Sequence, residues 1–261
     1  MFKFPYIIEL LSPQRGPNTE LEGALDRFAR RYRRIIDADC GLSIPDNPMG
    51  RPRMGALESI ELSGLSLDPE KVVMNLNTFH TKNELDALLK KAAEAHLKYI
   101  LVVRGDGGPL LPKLDPQSIG GKRSMATSID LIRYINNKFP EQFMTGAAFN
   151  PYKPMPFELK RLEEKTAAGA SYVVTQPIIG EDKNVSKLKA MTISVVIEAW
   201  MSKNIDLLYK SVGKDKDLKA SDYDPAKNLN TLHDVYPESC VYLSMLSFKQ
   251  EWRKLLPRLS R

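Results

Sequence analysis

Cysteine is nearly absent: the 261 residues hold only Cys40 and Cys240, near opposite ends of the chain. They form no CxxC pair, so a disulfide framework and a cysteine-rich metal site are both excluded, and a reduced, cytoplasmic setting is the simplest expectation. Histidine is almost as scarce, and His80, His96 and His233 lack the spacing of metal ligands. No stretch approaches about 18 apolar residues free of charge, which excludes a membrane-spanning helix. The opening run Met1–Leu11 is too short to cross a bilayer and carries no small-residue cleavage site, so no signal segment is expected. The phosphate-loop, dinucleotide, zinc-protease and serine-hydrolase motifs are missing as well. Gly and Pro are scattered rather than clustered, which excludes a collagen-like or low-complexity chain.

What is present is a globular composition. Hydrophobic residues make up 43%, enough to bury a large core, and charged residues 27%. The net charge of +6 is modest and suits an anionic small ligand as readily as nucleic acid; no nucleic-acid or membrane partner is expected. Eight short β-rich runs recur between helical patterns: Tyr6–Leu11, Gly41–Pro45, Lys71–Asn77, Lys98–Arg104, Phe143–Phe149, Ser171–Gln176, Ile205–Lys210 and Cys240–Leu246. Their starts are about 33 residues apart, close to the roughly 30 that a βα unit needs. Eight such units in this length predict a single closed (β/α)8 TIM barrel over residues 1–261, with an open doubly wound sheet as the competing architecture.

Helix starts are marked locally. Thr19-Glu20-Leu21-Glu22 and Thr81-Lys82-Asn83-Glu84 read as capping boxes. The first opens a helix whose apolar side runs through Leu25, Phe28, Tyr32 and Ile36. Its other face carries Arg27, Arg30, Arg31 and Arg34, which reads as a solvated face. Pro154 and Pro156 mark the start of a helix over Phe157–Ala168. Val185–Asn204 reads as one long helix, despite the β-branched run Thr192–Ile197. Gly213–Tyr223 is the most linker-like stretch, and no internal repeat is evident.

In a barrel, chemistry gathers at the C-terminal ends of the strands. Glu9, Asp46, Asn77, Arg104, Asp106 and Gln176 all fall at or near such ends. By period-two alternation Val73, Asn75 and Asn77 share a face, as do Val102, Arg104 and Asp106, and Tyr172, Val174 and Gln176. Glu9 is the one charge in Tyr6–Leu11. A carboxylate in such a run must be neutralised or paired, with Arg104 or Lys210 as the structural alternative to a catalytic role. The long loop Arg104–Arg123 is glycine-rich, so backbone can approach a ligand closely, and Lys122 and Arg123 precede a helix start read at Ser124, where a phosphate would be stabilised. His80 directly follows the third strand and is a lesser candidate for a site role.

Five blocks in register resemble the methylenetetrahydrofolate reductases, flavin-dependent (β/α)8 barrels, and in particular the branch found mainly in anaerobic bacteria. They are Ile8-Glu9-Leu10-Leu11-Ser12-Pro13; Ile44-Pro45-Asp46-Asn47 with Arg51 and Arg53-Met54; Arg104-Gly105-Asp106; Gly146-Ala147-Ala148-Phe149-Asn150-Pro151-Tyr152; and Lys165-Thr166-Ala167-Ala168-Gly169-Ala170 with Val174-Thr175-Gln176. The resemblance implies Glu9 as general acid and Asp106 as a carboxylate near flavin and folate. It further implies Gln176, with Asp46, on the substrate, and Arg104, Gly105, Asn77, Phe149 and Lys165 around the flavin. The cofactor it implies is FAD, with FMN the alternative, and no metal in this chain. Two departures bear on the electron donor. The Tyr-Pro-Glu stretch and histidine common after the fifth strand are replaced by Phe149, Asn150 and Lys153, and no aromatic follows the run read as the seventh strand. The resemblance therefore implies a partner subunit with zinc or iron–sulfur clusters as electron donor rather than direct use of NADH, and it leaves a homo-oligomer open. Two readings compete: a flavin-free pterin-binding methyltransferase barrel, and a non-catalytic scaffold subunit.

Overall fold

The computed structural model describes residues 2–16, 20–213 and 222–259. Eight strands close into one parallel barrel in sequence order: β1 (Tyr6–Glu9), β2 (Gly41–Ile44), β3 (Val72–Leu76), β4 (Tyr99–Val102), β5 (Met144–Phe149), β6 (Ala170–Thr175), β7 (Ser194–Trp200) and β8 (Val241–Ser244). The β1–β8 pairing shuts the ring, with Tyr6 opposite Val241. This is the expected (β/α)8 barrel, and the open sheet is ruled out. No helix among the described residues is long and apolar enough to cross a membrane.

Helices α1 (Leu21–Asp37), α2 (Ala56–Leu62), α3 (Lys82–Glu94), α4 (Ser128–Lys138), α5 (Met155–Ala167), α6 (Lys183–Ser186), α7 (Ile205–Val212), α8 (Pro225–Val235) and α9 (Trp252–Leu255) lie between and after the strands. The Thr81 hydroxyl accepts from the backbone N–H of Glu84, whose carboxylate answers to the Thr81 N–H, so the predicted box opens α3. The box read at Thr19 lies outside the described residues. Helix α4 starts at Ser128, capped by Thr127 with Asp130, and not at Ser124; four residues of loop therefore separate Arg123 from the helix. The basic side of α1 is also not simply solvated. Arg34 donates to the carbonyls of Phe248 and Gln250 and stacks 4.2 Å over Trp252, fastening the C-terminal segment to the barrel.

The largest correction concerns the seventh unit. Val185–Asn204 is not one helix, and Ile205–Lys210 is not a strand. The β-branched run forms β7, whereas Ile205, Leu208, Tyr209 and Val212 are buried on one side of α7 at the i, i+3, i+4, i+7 spacing of a helix. The Asn204 side chain caps α7 by accepting from the Leu207 N–H at 3.2 Å. Most of the linker-like stretch lies outside the described residues, but at its end Tyr223 is buried and donates to the Trp200 carbonyl.

Two apolar layers result, with a small third cluster between Trp200 and α7. The larger packs the helices on the outside of the barrel. The smaller fills the lumen with Phe4, Ile7, Val73, Tyr99, Leu101, Tyr172, Val174, Val196 and Tyr242. Two glycines make room for its rings. A Cβ on Gly41 would sit 2.2 Å from the Phe4 ring, and one on Gly146 2.2 Å from that of Tyr172. The barrel floor is thus plugged by aromatics, which leaves the C-terminal mouth as the open end.

Candidate active site at the barrel mouth

Alternation along each strand decides what faces the mouth. Ile7 is in the lumen, so Glu9, two residues on, is too; Val174 places Gln176 and Val196 places Glu198 on the same inner wall. The backbone N–H of Gln176 still bonds to the Phe149 carbonyl at 2.8 Å, so the ladder carries it to the rim. Ser43 and Asn75 complete this wall with a 2.8 Å hydrogen bond. Strand β4 departs from the expected pattern. Its lumen residues are Tyr99 and Leu101, whereas Val102 is buried in the outer layer, and Arg104 and Asp106 belong to the exposed loop beyond the strand.

Glu9 is half-buried, and the Tyr242 hydroxyl donates to its Oε2 at 3.2 Å. Neither Arg104 nor Lys210 is its partner; the nearby cation is Arg53. Burial pushes the Glu9 carboxyl above the usual carboxylate range, with the Tyr242 hydroxyl and the Arg53 charge pulling the other way. Arg53 is held by the Ser12 carbonyl, and its backbone N–H donates to the Asn47 side chain at 2.7 Å. Tyr242, Arg53 and Glu198 are not among the sequence candidates.

Asp46 is engaged within the protein. Its carboxylate accepts from the Asn77 N–H at 2.9 Å, from the Asn47 amide at 2.9 Å and lies 2.7 Å from Nε2 of His80. Burial lowers the His80 pKa, but the hydrogen bond and charge of Asp46 outweigh it and leave the imidazole above its ordinary value. Asn77 is buried and also donates to the Asp46 carbonyl at 2.7 Å. These two residues tie the β2 and β3 exits together.

A cavity of about 1010 Å³ opens between the β4 and β5 exits. Arg104, Lys113, Arg123, Lys153 and Arg161 give it a cationic lining, Asp106 stands at its edge, and Thr127 and Ser128 bring the α4 N-terminus to it. The loops after β2 and β4 touch beside it. The Met49 N–H donates to Asp106 Oδ2 at 2.7 Å, and a Cβ on Gly50 would lie 1.6 Å from the Gly107 carbonyl oxygen. Gly105 has φ +82° and packs against Asn77 and Phe79 so closely that a side chain there is excluded.

Lys165 reaches the cavity from α5, buried. Its Nζ donates to the Ala148 carbonyl at 2.6 Å and lies 3.7 Å from Glu158 Oε1; burial lowers its pKa, and Glu158 offsets part of that. Phe149 is in a different place from the one the sequence suggests. Its ring is fully buried in the outer layer, so it packs the barrel against the helices and does not line the cavity. With β7 relocated, an aromatic does end that strand: Trp200, held against α7 through Nε1–H to the Asn204 carbonyl at 3.2 Å. No group of three or more metal-ligating side chains is assembled among the described residues.

A lumen closed at the floor, with carboxyl and amide groups at its mouth and a cationic cavity at the β4 and β5 exits, defines a (β/α)8 barrel with its polar groups gathered at the C-terminal face. The family model for methylenetetrahydrofolate reductase matches residues 70–199, from β3 to β7. Methylenetetrahydrofolate reductase 1 of Schizosaccharomyces pombe is 29% identical over 145 residues, covering 49% of this chain and 23% of the relative. Methylenetetrahydrofolate reductase 2 of the same yeast is 32% identical over 108 residues, covering 35% of this chain and 15% of the relative. The matched stretch is therefore less than a quarter of either relative's length. Among solved structures, a 2,3-dimethylmalate lyase of the PEP mutase/isocitrate lyase superfamily superposes with a TM-score of 0.51 at 9% identity, over 92% of this chain and 75% of that one, a likeness of fold alone. The chain belongs to the methylenetetrahydrofolate reductase family.

Proposed function

We propose that this chain is a flavin-dependent oxidoreductase that interconverts 5,10-methylenetetrahydrofolate and 5-methyltetrahydrofolate, with Glu9 as general acid. The observation that carries the reading is a carboxyl group raised in pKa on the lumen wall of a family barrel, on the same rim as Gln176, with a cationic cavity at the β4 and β5 exits of that mouth.

The cavity fits a flavin nucleotide on two counts. Its volume lies at the upper end of ligand pockets, and its cations with the α4 N-terminus suit a phosphate or pyrophosphate. Arg104, Asp106, Lys165 and the turn at Gly105 would hold FAD or FMN there, while Asn77 and Phe149 shape the walls behind them. A bound flavin supplies the hydride that no side chain can provide.

The chain's own residues handle the proton and the orientation. Opening the methylene bridge to an iminium requires N10 to leave as an amine, and a protonated Glu9 donates that proton. The Tyr242 hydroxyl holds the Glu9 carboxyl in place. Gln176 offers both a donor and an acceptor to the pterin edge. Asp46 contributes through the loop it braces, in contact with Asn77 and His80. A partner subunit carrying zinc or iron–sulfur clusters would serve as electron donor to the bound flavin.

Glu9→Gln keeps shape and hydrogen bonding but has no proton to give. Reoxidation of the reduced flavoprotein by methylene-folate, followed near ~450 nm, should fall by about 10²–10⁴, while reduction by the electron donor is retained. An unchanged rate with folate removes Glu9 from the chemistry. A colourless wild-type protein that binds neither flavin at micromolar concentration removes the flavoenzyme reading altogether.

A further inference from the structure

The mouth holds a second carboxyl that the proposed reaction leaves without a role. Glu198 is a half-buried charge in the run Val195-Val196-Ile197-Glu198-Ala199-Trp200. Val196 points into the lumen, so Glu198 faces it as well. On β8 the residue level with Glu198 is Tyr242, and the residue level with Tyr242 on β1 is Ile7, two before Glu9. Three adjacent strands thus set Glu198, Tyr242 and Glu9 side by side on one wall, and the phenol's proton is committed to Glu9 Oε2 at 3.2 Å. The other polar groups on this wall are Gln176 at the rim, Ser43, which bonds to Asn75 and touches the Tyr242 hydroxyl, and Ser244 beside Glu198; among the described residues the cation that bears on Glu9 is Arg53. Arg53 bears on Glu9, and Glu198 has the Ser244 hydroxyl as its hydrogen-bond partner.

We propose that Glu198 and Glu9 share one proton through Tyr242, and that Glu198 is a positioning residue which returns the proton that Glu9 spends in each turnover. This rests on the reading of Glu9 as general acid. The transfers balance. The Glu9 O–H bond breaks as N10–H forms; the Glu9 carboxylate takes the Tyr242 proton, and Tyr242 takes that of Glu198. Glu198 then recovers a proton from water at the open mouth. The electrostatics agree in direction: burial first, and then the charge of Glu9, push the Glu198 carboxyl up to about 8, against the Ser244 hydroxyl. The charge of one carboxyl thus opposes ionisation of the other.

Two measurements test it. The first needs no turnover: carboxyl titration by ¹³C NMR on glutamate-labelled wild type, Glu9→Gln and Glu198→Gln. Wild type should show two separated steps with the upper one near pH 8. Each variant should leave a single step at lower pH. Two independent steps in the ordinary carboxylate range overturn the pairing, and the wild-type titration alone is decisive if a variant does not fold. The second is the pH profile of flavin reoxidation by methylene-folate. In Glu198→Gln its alkaline limb should move down by roughly one pH unit or more, with the acid plateau retained. A limb that stays in place overturns the role of Glu198 in supplying Glu9. Coupled titration in a wild type that never reacts with methylene-folate supports the pair and refutes the assigned reaction, so the two failures are distinct.

Discussion

His233 should make this fold acid-sensitive, and the size of the effect follows from one buried contact. The imidazole sits near the end of α8, 7% exposed, with Nε2 2.8 Å from the Tyr6 hydroxyl of β1. That hydroxyl also accepts from the Arg258 N–H at 3.2 Å, and Nδ1 has no hydrogen-bond partner among the described residues. The neutral ring, with its proton on Nδ1, lets Nε2 accept from the phenol. Protonation removes that acceptor and places a second cation beside Arg258. Burial first, and then Arg258, bring the pKa down from 6.5 to about 4. Because the folded value is the lower one, the stability is fully present above about pH 6.5. It is lost as pH falls, since the unfolded chain takes up the proton first. The whole shift is worth roughly 3 kcal/mol, of which about 2 kcal/mol is lost by pH 5. For a chain of this length 3 kcal/mol is roughly 5 °C in Tm. Guanidinium unfolding of wild type and His233→Gln at pH 7.5 and pH 5.0 isolates the contribution. Wild type should lead the variant at the higher pH, and the difference should shrink by about 2 kcal/mol at the lower. A difference that does not change with pH refutes the buried neutral imidazole.

Lys165→Ala leaves Glu158 buried without its cation and should cost about 3–5 kcal/mol by chemical denaturation, together with weaker flavin retention; a stability equal to wild type would show that the pair is not needed. Gly50→Ala places a side chain at φ +66° against the Gly107 carbonyl, so it should part the two loops and weaken flavin binding on the order of tenfold in a fluorescence titration; an unchanged Kd would show that the loop contact does not shape the cavity. The isolated chain should turn over poorly with NADH or NADPH and react with a reduced dye or a partner protein. Robust NADH oxidation coupled to methyl-folate formation would overturn the assigned partner.

The barrel is legible in sequence because seven of its strands are short apolar runs, each bounded by polar or turn residues and each far enough from the next to leave room for a helix. The failure at the seventh has a specific cause. Thr192–Ile197 lies inside a long apolar stretch that also suits a helix, and Ile205–Lys210 is apolar enough to stand in for the missing strand. Tertiary pairing decides between them: β7 has neighbours on both sides, with Val173 opposite Val195 and Glu198 opposite Tyr242. That one displacement hides part of the site. Ile8-Glu9-Leu10 stands out because a lone carboxylate interrupts a strand, and Ile197-Glu198-Ala199 carries the same signature. Read as helix, Glu198 is one surface charge among many; read as strand, it faces the lumen by the same alternation that places Glu9. Tyr242 and Arg53 carry no such mark, because an aromatic in a strand and an arginine in a loop are ordinary until the ring closes. Closure of β1 on β8 is what brings Tyr242 to Glu9 across more than two hundred residues of chain, a contact that no local pattern encodes. Residues whose role depends on their own strand are therefore readable in sequence, and residues whose role depends on the barrel's closure are not.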